Sequence, residues 1–239
     1  MGLAVPLARR AAALRDLGES ARDAHDVAVP AAARGAAIEA LRRGETHYTD
    51  RPGILPLRER VADDLEQRFG LAVDARAGVV ITCGVTEARF VAIQQLLPAA
   101  DGTVVALAQP ERVAGACLVR GVRLVGPHAD VAGNVVVYVS GGADPGAREA
   151  WLARATEQRW PVLFEVDGPA PHPAAQGLAE QTVTIGGLGH DAGLEAWRVG
   201  FLAAPAATAG PLRDFKQALT ICTTNLSQWG ALGLMEATA

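Results

Sequence analysis

Lysine is almost missing from this 239-residue chain: of its 22 Lys plus Arg residues only Lys216 is a lysine. Any chemistry that needs a lysine amine has that one residue to draw on. Cysteine is nearly as sparse. Cys83, Cys117 and Cys222 are odd in number and lack C-x-x-C spacing, so they read as reduced thiols of a cytoplasmic protein and not as a disulfide framework. His25, His47, His128, His172 and His190 show no i, i+4 pairing, which speaks against a metal site. No run approaches the ~20 apolar residues needed to span a bilayer. The segment from Met1 to Arg22 is broken by charges and lacks the apolar stretch of a signal peptide. With 26 acidic against 22 basic residues and a net charge of −4, clustered cations for a nucleic acid are absent as well. A dinucleotide fold is disfavoured because no strand leads into G-x-G-x-x-G.

Half the residues are hydrophobic and a fifth are charged, the balance of a globular protein with ample core. Short β-branched runs alternate with helical patterns from Val79 onward, the signature of a parallel sheet with helices on its faces. Strands are predicted at Val79–Thr82, Thr103–Ala108, Val122–Val125, Val135–Val139, Val162–Val166, Thr182–Ile185 and Val199–Ala203. Helices are predicted at Ala31–Arg43, Leu57–Phe69, Thr86–Leu97, Glu111–Arg120, Ala147–Arg159, Pro211–Leu219 and from Ser227 onward. In the second of these, Leu57, Val61, Leu65 and Phe69 recur at helical spacing on one side, and Gly70 is its C-cap. The expected architecture is one α/β unit: a mostly parallel seven-stranded sheet with helices on both faces over 31–239, preceded by an N-terminal arm at 1–30.

Four stretches carry chemistry when taken in order. The first is GETHYTDRPGILPLRE, from Gly44 to Glu59, with Tyr48 inside it. The second, TCGVTEA from Thr82 to Ala88, sets Gly84, Val85 and Thr86 between a strand and a helix, where free backbone N–H groups and the helix dipole suit a phosphate. The third is IGGLGHDAGLEAWRVGF, from Ile185 to Phe201, in which Arg198 offers a planar fork to the same anion. The fourth is Ser227-Gln228 at the start of the last helix. Taken singly, a G-x-T at such a junction is a tight turn and Arg198 a surface cation. Their ordered occurrence resembles the large domain of the class I/II aminotransferases, pyridoxal-phosphate (PLP) enzymes of fold type I. The resemblance implies a phosphate cradle of Gly84, Val85, Thr86 and Arg198. It also implies that Tyr48 reaches the phosphate of a neighbouring subunit, and that Glu165 or Asp167 pairs with the pyridinium nitrogen.

The departures from the family pattern fall on the chemistry. The Schiff-base lysine of the third stretch aligns with His190, and an imidazole forms no aldimine. Gly187 and Gly189 stand where the family has serines, and Arg112 where it has the aromatic that stacks on the ring. The N-P-T-G loop is reduced to Ala143-Asp144-Pro145-Gly146, and with only about 12 residues after Ser227 the expectation is that the family's smaller domain is lacking. Lys216 lies beyond the motif, on another predicted helix. The expectation is therefore a degenerate aminotransferase-like protein without ordinary transamination. It would act as a homodimer or beside a lysine-containing homologue, with PLP or pyridoxamine phosphate (PMP) bound noncovalently if at all. The alternative is a PMP-dependent enzyme with His190 as its base, or an ordinary aminotransferase by descent.

Overall fold

The computed structural model describes residues 28–189 and 192–238. The expected arm at 1–30 falls outside them except for its last three residues, which lead into the first helix. Seven strands form one sheet: β1 (Val79–Thr82), β2 (Thr103–Ala106), β3 (Arg123–Val125), β4 (Val135–Val139), β5 (Val162–Val166), β6 (Thr182–Gly187) and β7 (Gly200–Ala203). Their order is β1-β7-β6-β5-β4-β2-β3. The pairs among β2 to β6 are parallel. Only β7 is reversed, antiparallel to both β1 and β6. β1, β2 and β4 are buried at every residue, which is why they read as continuous apolar runs.

The helices are α1 (Ala31–Arg42), α2 (Leu55–Phe69), α3 (Gly84–Leu96), α4 (Glu111–Arg120), α5 (Pro145–Gln158), α6 (Ala206–Thr220) and α7 (Asn225–Ala237). Successive strand residues face opposite ways. Val104, Val136, Tyr138 and Leu163 therefore pack with Val91 and Ala92 of α3 and Val113 of α4. Val105, Val137, Val139 and Phe164 pack with Trp151 and Leu152 of α5 on the other face. Near β1 and β7, Ile81 and Phe201 meet Leu57, Val61 and Leu65 of α2 and Leu232 of α7. Helices thus cover both faces, as expected.

Several element starts need correction, each for a local reason. α3 begins at Gly84 and not at Thr86, because the Glu87 carboxylate folds back to accept the Cys83 N–H at 2.6 Å and closes the first turn there. α5 begins at Pro145, with Asp144 as N-cap accepting from Ala147 N–H at 2.8 Å and the proline at the first position, where its missing N–H costs nothing. α2 begins at Leu55, with Pro56 in its first turn. α6 begins at Ala206 and runs through Pro211. There the burial of Ala209 and Leu212 on either side outweighs the lost hydrogen bond.

The first and fourth stretches meet in space. Gln228 is fully buried, accepts the Ile54 N–H at 2.8 Å and donates to Thr223 O at 2.8 Å. Thr223 in turn donates to Ile81 O at 3.1 Å. One amide thus pins the loop before α2, the turn before α7 and the edge strand β1.

Candidate functional site

The start of α3 and the end of the third stretch come together as the motif order suggested. β7 runs beside β1, so Gly200 pairs with Thr82 on one side and Gly187 on the other. A methyl group on Gly200 would lie 2.7 Å from Gly186 O, 2.7 Å from Gly84 C and 2.8 Å from Val85 N. Only a glycine lets the helix start settle this close to the strand. Arg198, in left-handed backbone conformation at φ 52°, is exposed and reaches back to Cys83 O at 3.3 Å through Nη2. Gly84, Val85, Thr86 and Arg198 are therefore neighbours, and the first-turn N–H groups of α3 lack intrahelical acceptors. Thr86 is exposed.

Glu165 and Asp167 form a second group at the end of β5. By the two-residue period both turn toward the face covered by α3 and α4. Glu165 is 3% exposed and its carboxylate is saturated. Arg89 of α3 donates to it twice, from Nε to Oε2 at 2.7 Å and from Nη2 to Oε1 at 2.5 Å. Arg112 of α4 adds a bond to Oε1 at 3.0 Å, and the Tyr138 hydroxyl donates to Oε2 at 2.7 Å. Asp167 accepts from Gly141 N–H at 2.5 Å and pairs with Arg112. Burial pushes the Glu165 carboxyl up, but Arg89, Tyr138 and Arg112 together hold it below the usual carboxylate range. Burial and the adjoining carboxylate drive the Tyr138 phenol the other way, so it stays protonated as a donor. Burial lowers the values of Arg89 and Arg112, yet the carboxylates outweigh it and both remain firmly cationic.

The residues that the resemblance assigns to the ring do not fit the cofactor it implies. A carboxylate offers about four lone-pair directions, and Arg89, Arg112 and Tyr138 take four bonds from Glu165. Asp167 keeps spare acceptor capacity. Even so, two guanidiniums match the two acids, so the group has no net negative charge to stabilise a protonated pyridine. Arg112 is held by ion pairs with both acids. At Gly189 a Cβ would lie 2.6 Å from Leu234 Cδ2 and 2.8 Å from Leu194 Cβ, leaving no room for a serine.

Tyr48 joins neither group. Tyr48 is 75% exposed and makes no hydrogen bond among the described residues. His190 lies outside the described residues. Lys216 is fully buried on α6, with no hydrogen-bond partner for Nζ. Burial lowers its pKa, against weaker opposing effects of Glu87, Cys83 and Cys222. No cluster of three or more His, Cys, Asp or Glu suited to a metal occurs among the described residues. No helix there is long and apolar enough to cross a membrane.

Sequence reasoning overlooked Arg89 and Tyr138. Their signal is a charge and a phenol inside otherwise apolar runs. Arg89 stands four residues after Val85 and four before Ile93, along the inner side of α3.

No protein-family model matches the chain. It is similar to the arginine–pyruvate transaminase of Pseudomonas aeruginosa, 31% identical, with 89% of this chain aligned to 62% of that one. It is also similar to the methionine aminotransferase of Escherichia coli, 24% identical, over 82% of this chain and 58% of that one. The chain thus spans about 60% of the length of these relatives. Among solved structures, N-succinyldiaminopimelate aminotransferase from Mycobacterium tuberculosis superposes with a TM-score of 0.79 at 20% identity, over 89% of this chain and 64% of that one. An aromatic aminotransferase from Pyrococcus horikoshii does so with a TM-score of 0.77 at 20% identity, over 93% and 70%. Over most of its length the chain is homologous to the class I/II PLP-dependent aminotransferases, and it has the fold of their type I large domain.

Proposed function

We propose that this aminotransferase-like chain does not perform ordinary transamination and serves as a scaffold subunit, paired with itself or with a lysine-containing homologue in the cytoplasm. The observation that carries the reading is the state of its sole lysine: Lys216 is 0% exposed on α6. With His190 at the position aligned with the family's Schiff-base lysine, no accessible lysine amine is left to tether an aldehyde cofactor. The saturated Glu165 supports the same conclusion from the ring side.

The competing reading is an enzyme that holds PMP noncovalently and uses His190 as a base. His190 at the aligned position motivates it, and the charge-balanced group around Glu165 disfavours it. The test is to incubate the purified chain with PLP and an amino acid, follow absorbance and keto-acid formation, then reduce with borohydride and map the peptides. No turnover and no adduct at Lys216 are expected. Turnover by the isolated chain would end the proposal, and loss of PMP-dependent turnover in His190→Ala would install its competitor.

A further inference from the structure

Arg89 is unlike the other residues near the site because it comes from the helix that also supplies the phosphate-side amides. It spends its guanidinium on the acid that the resemblance assigns to the ring. Its side chain is 12% exposed, that of Glu165 is 3% exposed, and the two N–H···O bonds run in parallel. Such a fork fixes both partners in orientation as well as in charge. The remaining lone pairs of Glu165 go to Arg112 and Tyr138. A ring nitrogen approaching Glu165 would have to displace a buried, charge-assisted pair.

We propose that Arg89 is the specificity-determining residue of this site: it occupies Glu165 as an internal cation, so the fold refuses a pyridinium ring, and its removal opens the site to PMP. The inference rests on the reading that the chain does not transaminate, and deepens it by naming the residue that closes the ring side. Arg112 does not suffice for this closure. It divides its Nη1 between Glu165 and Asp167, and it supplies one of the four bonds to Glu165, where Arg89 supplies two.

PMP is the appropriate probe because it is already an amine and needs no lysine to be held. Thermal unfolding and equilibrium dialysis of the whole chain, with PMP and with inorganic phosphate, give the readout. In the native chain PMP is expected to shift the melting temperature no more than phosphate does. In Arg89→Leu it should bind saturably, at least about tenfold more tightly than in the native chain. Arg89→Gln keeps one amide donor near Glu165 and serves if the leucine variant does not fold; it should gain binding in the same direction. Arg89→Lys keeps the positive charge and should not. Native binding equal to that of Arg89→Leu or Arg89→Gln would overturn the inference, as would native binding lost in Asp167→Asn, which would make Asp167 the ring partner. Failure here concerns binding alone. The functional reading fails separately, on amine transfer by the native chain.

Discussion

Arg89 on α3 and Glu165 on β5 are joined by two parallel hydrogen bonds of 2.7 and 2.5 Å. The pair couples a helix on one face of the sheet to the central strand beneath it. Glu165→Gln would leave two guanidiniums facing a neutral amide, one of them nearly buried. Breaking a buried pair from one side costs about 3–5 kcal/mol, so the urea midpoint should fall accordingly. The acid dependence should change as well. Glu165 is held below its ordinary value of 4.5, so its contribution is present above that value and is lost as pH falls through the lowered one. The variant should therefore show a shallower acid limb.

Lys216 makes the opposite prediction. A buried amine without a hydrogen-bond partner is a cost that a methionine of similar length avoids. Lys216→Met is expected to raise the melting temperature, by about 2–4 °C for each kcal/mol gained. Calorimetry at neutral pH checks this.

His172 sets a pH window. Its Nδ1 accepts from Ala174 N–H at 3.0 Å, so Nε2 carries the proton toward Thr184 Oγ1 at 2.7 Å. Burial first and Arg148 second push its pKa down to about 4 from an ordinary 6.5. Between these values the unfolded chain binds a proton that the folded one refuses, so stability falls as the pH is lowered across that interval. The slope is at most about 1.4 kcal/mol per pH unit. His172→Gln should lose this slope in urea midpoints taken at several pH values.

Gly200→Ala should cost about 1–3 kcal/mol through overpacking. The three nearest atoms the methyl group would meet are all backbone, at 2.7 to 2.8 Å. Because two of those atoms belong to Gly84 and Val85, amide exchange at the start of α3 should accelerate more than exchange in β4.

Much of the fold was legible because its signals are local. Leu57, Val61 and Leu65 announce the inner side of α2, whereas the start of α5 at Pro145, two residues before the predicted Ala147, rests on the Asp144 cap in a segment read as a loop. The joint turn of Glu165 and Asp167 toward one face followed from the strand period, and both meet Arg112. The partnership that decides the site was not legible. Arg89 and Glu165 are separated by 76 positions, and neither the spacing nor the composition indicates that one will be spent on the other. Pro211 misled for a related reason: a proline is a local stop signal, and α6 runs through it because Ala209 and Leu212 beside it are buried against residues distant in sequence.

The amide of Gln228 has a consequence for biogenesis. It caps a backbone group 174 positions upstream, at Ile54, and its helix packs against α1. During vectorial synthesis α1 and α2 must wait, without this partner, until α7 leaves the ribosome. Ribosome-stalled nascent chains ending before Asn225 should thus remain protease-sensitive at the loop before α2, where chains that include α7 resist.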